Sequence, residues 1–204
     1  MTGEMLTFPD AARILKSGGV LLMGTDTLPG FHCRADLPAA VGRILALKGR
    51  PAGKSLLVVA GSVDQVDLVA GALDLRQETF CRRCWPGPFS LILPAGGNLA
   101  PAVVGPGGTV AVRVPDLPSL CDLVLAVGFP VVSTSANLSG EPPPKELETA
   151  RHAFRKKIDG IWQPLENKFD MDVETKTVPS ALIDLTVWPF RQLRPGPRKP
   201  PAAG

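Results

Sequence analysis

The chain has 204 residues, of which 45% are apolar and 20% charged, with 22 Lys+Arg against 19 Asp+Glu. That apolar content can build a core without help from disulfides or metals, and a net charge of +3 is too small to argue for nucleic acid by itself. The complete lack of Tyr argues against a carbohydrate-stacking surface, while 21 Gly and 22 Pro announce many tight turns.

Ala11, Ile14 and Leu15 share a helical face that Gly18-Gly19 ends, and residues 20–23 then read as a short buried strand. A loop over 24–31 follows. Asp36 is the expected cap of a helix with Pro38 in its first turn and Val41, Ile44 and Leu45 as its stripe, running to about Lys48. Leu56 to Val59 is a second buried strand, and 63–70 and 73–81 read as helices. Strands are expected at 89–93 and 110–114, on either side of a Gly/Pro-rich loop. Asp116 and Pro118 start a helix to about Val127; Val131-Val132 then leads into a polar loop over 133–140. A helix at 145–154 carries basic residues on to Lys157, and 181–185 and 191–193 are late strands. Alternating strands and helices without repeat or linker indicate one α/β domain, residues 8–194. The Pro/Gly/Ala-rich tail, 195–204, is expected to be disordered.

No apolar run is long enough to span a bilayer, and the first ten residues lack the basic and apolar regions of a signal peptide. A cytosolic protein with reduced thiols is expected, so Cys81 and Cys84 read as ordinary thiols and no metal ligands are assigned. Nucleophile-elbow, zincin and dinucleotide fingerprints are missing, and two histidines away from any Ser or Cys motif give His-based catalysis no support. Gly53-Lys54-Ser55 resembles the end of a P-loop, but Lys48 stands where that motif needs Gly, and a strand-like run follows instead of a helix.

Four segments next to buried strands nevertheless carry phosphate-binding chemistry. They are Thr25-Asp26-Thr27; Lys48-Gly49-Arg50 with Lys54; Thr109 with Arg113; and Ser133, Ser135 and Asn137. Arg113 stands out, because a charge between apolar strand residues usually has a partner or a role.

The blocks LALKGRPAGKSLLVV, CWPGPFSLILPA, TVAVRVPDLPSL and VVSTSANLSGEPPP occur in that order, and the chain from about Ala11 to Arg194 resembles the YrdC-like threonylcarbamoyl-AMP synthase family in its short, single-domain form. The resemblance implies a twisted mixed β-sheet flanked by helices around a large basic cavity. It also implies an ATP- and Mg2+-dependent reaction in which L-threonine and bicarbonate form a carbamate that attacks the α-phosphate of ATP, releasing pyrophosphate. A downstream threonylcarbamoyl-transferase complex then modifies tRNA, and weak RNA binding is a further expectation. By the same match, Lys48, Arg50, Ser135 and Asn137 are catalytic and hold ATP. Lys54, Thr109, Pro143 and Arg194 touch the nucleotide; Thr27, Arg113, Ser133 and Ser180 hold threonine, Arg113 taking its carboxylate. Both Lys48 and Arg50 are expected to face the cavity.

The first block departs from the family's Y-P-T-E-T-V-Y-G: both threonines remain, but Asp26 shortens the acid and Pro29 replaces an aromatic. Val59 stands where some members carry His, and Ser180-Ala181 replaces Ser-Thr. These changes bear on amino-acid preference more than on the nucleotide. Two rivals are weighed. A non-catalytic module binding double-stranded RNA or tRNA would use the basic residues 151–157, but few aromatics are present for stacking. The carbamoyl-adenylate domains of hydrogenase maturation sit in far larger chains.

Overall fold

The computed structural model describes residues 4–50, 56–165 and 178–203. Its elements, in chain order, are α1 (Phe8–Lys16), β1 (Leu21–Met23), β2 (Gly30–Arg34), α2 (Pro38–Lys48) and β3 (Leu57–Val59). A 3-10 turn (Asp64–Leu68), α3 (Leu75–Cys84), β4 (Phe89–Pro94), β5 (Thr109–Arg113), α4 (Pro118–Val127) and β6 (Val131–Ser135) follow. The chain then forms α5 (Leu147–Phe154), β7 (Gly160–Trp162), β8 (Ala181–Asp184) and β9 (Arg191–Arg194). Among the described residues, nine strands make one mixed sheet in the order β7-β1-β2-β6-β3-β5-β4-β8-β9. Helices flank it, as the resemblance implied.

Local chemistry explains the helix ends. Thr7 Oγ1 accepts from the Asp10 N–H to cap α1, and Asp74 with Gln77 forms a reciprocal capping box on α3. α2 and α4 open without any side-chain cap, on Leu37 and Leu117, with a proline setting the first turn. Asp36, expected from its position to cap α2, does not do so; its carboxylate instead takes the Arg34 guanidinium at 3.0 and 2.5 Å. Asp116 likewise is not the N-cap residue of α4. Both helices close on left-handed glycines, Gly49 at φ 55° and Gly128 at φ 82°.

Alternation along the central strands separates two environments. Val58, Leu91, Val112, Val132 and Ile183 point into the larger core, with Ile44 of α2, Phe80 of α3 and Phe154 of α5. The opposite side meets α1 and α4 at one end, where Leu15, Leu120 and Val124 pack on Leu21, Met23, Val59 and Val131. Beyond those helices the same side is left open.

Several elements differ from expectation. The 24–31 loop is shorter, since Gly30 already begins β2, an interior strand between β1 and β6. Its His and Arg break the apolar run by which a buried strand is recognised. The stretch 63–70 forms only a 3-10 turn: Val63, Val66 and Val69 repeat every three residues, the period of that helix rather than of α. Ser133 to Ser135 belong to β6 rather than to a loop, and β7 is too short to show a pattern. α5 starts at Leu147 and stops at Phe154, so Arg155, Lys156 and Lys157 follow it as exposed residues. The segment 195–203 lies against the body rather than apart from it. A Cβ on Gly196 would come within 2.2 Å of the Ala181 nitrogen, Arg198 covers the Phe89 ring, and Arg83 donates to the Ala202 carbonyl. Composition does not register such contacts with distant strands.

Candidate active site

On the open side of the sheet lies a cavity of about 440 Å³. Its floor is the row of alternate residues opposite the larger core: Leu57 and Val59 of β3, Ala111 and Arg113 of β5, Ser133 and Ser135 of β6 and Ser90 of β4. Walls come from the β1–β2 loop with Asp26 and Thr27, from Arg50 just after α2, and from Pro143, Ser180 and Arg194. Arg50, Arg113 and Arg194 face one acid among the lining residues, Asp26.

Each polar group is held by a specific local arrangement. Arg113 is only 3% exposed; its Nε donates to the Gly87 carbonyl at 3.0 Å and its Nη2 to Asp26 Oδ2. Burial raises the Asp26 pKa, against the pull of Arg113, and burial lowers that of Arg113. The other Asp26 oxygen is buried without a hydrogen-bond partner. The loop bearing it is tied by Thr25, whose Oγ1 accepts from the Thr27 and Leu28 N–H groups and donates to the Leu28 carbonyl. At the far wall, Ser180 Oγ lies 2.7 Å from Ser90 Oγ, and the Ser180 carbonyl accepts from Arg194 Nε and Nη2 at 3.1 and 2.9 Å.

Lys48 is placed differently from expectation. It is 3% exposed and is not a lining residue; its ammonium donates to the Ser135 carbonyl at 2.5 Å and to the Asn137 carbonyl and Oδ1 at 3.0 and 3.1 Å. Asn137 Oδ1 also accepts from Ser135 Oγ, and its Nδ2 donates to the Leu138 and Glu141 carbonyls. Lys48 thus clamps the chain end of β6 from behind, while Arg50, two residues on, reaches the cavity. Desolvation, with Arg50 nearby, lowers the Lys48 pKa to about 8.

Thr109 shares a strand face with Ala111 and Arg113, yet lines a neighbouring cavity of about 480 Å³ with Asp184 and Thr186, and its Oγ1 donates to the Pro106 carbonyl. Ala111 borders both cavities. Lys54, and with it the P-loop-like Gly53-Lys54-Ser55, lies outside the described residues. Cys81 and Cys84 point into the core from α3, where burial pushes both thiols up to about 12. Among the described residues no three His, Cys, Asp or Glu side chains gather as a metal site.

One participant escaped the sequence reading. His32 on β2 is directly opposite Ser133 on β6, with its Nε2 at 3.0 Å from Ser133 Oγ and its Nδ1 at 3.0 Å from the Gly30 carbonyl. The two residues are 101 apart in sequence, so only strand pairing brings them together.

The Sua5/YciO/YrdC family model, described as telomere recombination, matches residues 13–196. The threonylcarbamoyl-AMP synthase of Chromohalobacter salexigens is 38% identical over 145 residues, covering 71% of this chain and 78% of that protein. That of Cellvibrio japonicus is 33% identical over 175 residues, covering 86% of this chain and 89% of its own. The solved structure of Pyrococcus abyssi Sua5 complexed with L-threonine superposes with a TM-score of 0.82 at 31% identity, over 96% of this chain and 57% of that one. Escherichia coli YciO, at 22% identity and a TM-score of 0.78, shares the fold.

Proposed function

This chain belongs to the Sua5/YciO/YrdC family, and we propose on that premise that it makes threonylcarbamoyl-AMP from L-threonine, bicarbonate and ATP. The observation that carries the reading is the cavity over β3, β5 and β6, in which three guanidinium groups and several serine and threonine hydroxyls converge. Such a donor set suits a triphosphate and an amino-acid carboxylate together.

The chemistry asks for little more. Threonine and bicarbonate give N-carboxythreonine and water; a carbamate oxygen then bonds to the α-phosphorus of ATP and the bond to the β-phosphate breaks, releasing pyrophosphate. The substrate supplies its own nucleophile, so the protein's task is to position the reactants and stabilise negative charge. Arg50, Ser135, Pro143 and Arg194 border the nucleotide in this reading, with Thr109 at its far end. Lys48 and Asn137 act through the backbone they hold, keeping the Ser135 segment where the phosphates pass. Thr27, Ser133, Ser180 and Arg113 surround threonine. Of the five N–H donors of Arg113, Gly87 and Asp26 take two, and in this reading the substrate carboxylate draws on the rest. Mg2+ would arrive on the triphosphate and be held by its oxygens and by water, with the Ser and Thr hydroxyls of the lining as the protein oxygens within the cavity. The adenylate goes on to a transferase complex that modifies tRNA, in the cytosol.

The test is pyrophosphate release from ATP, Mg2+ and bicarbonate, with and without L-threonine, with the adenylate identified by mass spectrometry. Release that needs both threonine and bicarbonate is expected; folded protein that releases none overturns the reading. Arg50→Ala should abolish release, while Lys48→Met should lower kcat by roughly tenfold, as the loss of charged hydrogen bonds to the Ser135 segment implies. RNA binding that ignores ATP would favour a binding module instead.

A further inference from the structure

His32 has no role in the chemistry above, yet it is fully buried, and its only described polar neighbours are the Gly30 carbonyl and the Ser133 hydroxyl. A carbonyl oxygen can only accept, so the hydrogen bond at Nδ1 places the proton there. In the neutral ring Nε2 then carries a bare lone pair, and the bond to Ser133 runs one way: Ser133 Oγ–H donates and Nε2 accepts. Burial, the larger influence, pushes the imidazole pKa down to about 4, which keeps the ring neutral at ordinary pH. Space for the ring is made by Gly30, where an added Cβ would approach the His32 Cε1 to 3.1 Å and the Thr134 carbonyl oxygen to 2.8 Å.

Ser133 lines the cavity. With its only proton committed to His32, its hydroxyl presents lone pairs alone to whatever binds there. We infer that His32 is a positioning residue that fixes Ser133 as a hydrogen-bond acceptor for the amino group of the amino-acid substrate. The inference rests on the function proposed above and deepens it. Threonine offers a carboxylate, which only accepts; a hydroxyl, which does both; and an amino group, which before carboxylation is a charged donor. An acceptor-only Ser133 repels the first and favours the last. The cavity's guanidinium groups exert the opposite preference, so the two ends of the amino acid are sorted between Ser133 and Arg113.

The experiment compares the full chain with His32→Leu, His32→Gln, Ser133→Ala and the His32→Leu/Ser133→Ala double variant. Threonine-dependent pyrophosphate release is measured, together with inhibition by (R)-3-hydroxybutyrate, which keeps the carboxylate and hydroxyl of threonine and lacks its amine. Ring nitrogen shifts in NMR report the tautomer. His32→Leu and Ser133→Ala should each raise the threonine KM by about tenfold, the loss of one hydrogen bond to a charged donor, with the ATP KM within about twofold of wild type. The double variant should be no worse than either single one, since both remove the same acceptor. His32→Gln, whose amide oxygen can accept from Ser133, should recover part of the loss, and the preference for threonine over the amine-free analogue should shrink only where the pair is broken.

A proton on Nε2, multiplying losses in the double variant, or equal rises in both KM values would overturn the inference. If His32→Leu does not fold, Ser133→Ala and His32→Gln carry the comparison. If wild type releases no pyrophosphate with threonine, the proposed function falls. Calorimetric threonine binding then decides the inference: binding weakened in both single variants supports it, and no binding to wild type overturns it.

Discussion

The two sides of the central sheet are built from alternate residues of the same strands and have opposite characters. On one side Val58, Val112 and Val132 make a dry layer beneath α2, α3 and α5. On the other, one residue away along each strand, Leu57, Ala111, Arg113 and Ser133 floor a cavity. In β5 the change occurs between Val112 and Arg113, both nearly inaccessible to solvent. The dry side spends burial on stability. The cavity side keeps charges and hydroxyls desolvated, and several are satisfied by a neighbour: Arg113 by Asp26 Oδ2, Ser133 by His32 and Ser135 by Asn137. A polar cavity here is a second polar core that has been left partly open.

The comparison breaks most severely at Arg113. Arg113→Met leaves the Asp26 carboxylate buried without its cation, which should cost about 3–5 kcal/mol of stability and all pyrophosphate release. Adding Asp26→Asn should restore stability in chemical denaturation without restoring activity. Denaturation alone, with no such rescue, would show that the pair is not what holds this wall.

Next in size is an acid effect of His32. The unfolded chain's imidazole takes up a proton below its ordinary 6.5, whereas the folded one resists until about 4. The unfolded state therefore binds more protons across that window, and stability falls as the pH falls. Wild type should lose about 3 kcal/mol more than His32→Leu between pH 6.5 and 4, read from urea midpoints at several pH values. Parallel pH profiles would mean that the ring is not buried neutral.

On the dry side, Val112→Ala should cost about 2 kcal/mol through the void it leaves, with kcat unchanged for the protein that remains folded. Its neighbour Ala111→Leu should do the reverse. That side chain enters the cavity, so stability should change by less than about 0.5 kcal/mol while pyrophosphate release collapses. If both substitutions acted alike on stability and rate, the division between the two faces would be wrong.

Much of the site was legible in the sequence because its residues lie in short local patterns. Arg50, Ser135, Thr27 and Arg113 stand out in Lys-x-Arg, in Ser-x-Asn, in a threonine-bearing loop after a buried strand and as a charge within a strand, and the fold brings them to one cavity. Lys48 was misread by the same patterns, which show that two cations are close in sequence but not that a left-handed Gly49 separates them. That turn ends α2 with Lys48 facing the β6 segment and leaves Arg50 beyond the helix. His32 does not stand out in the sequence because the side chain it meets, Ser133, is 101 residues away.

Composition and pattern alone determined that this chain is an α/β domain and where most of its strands and helices run, because those features arise from periodicity and neighbouring residues; the family is a resemblance that four ordered blocks carry. The tertiary structure alone decided which polar groups are held by the protein and which are offered to a ligand. Hydrogen bonds such as His32–Ser133, Asp26–Arg113 and Lys48–Ser135 join residues about 90 to 100 positions apart. Their directions follow from strand register and burial, which no local stretch of sequence contains.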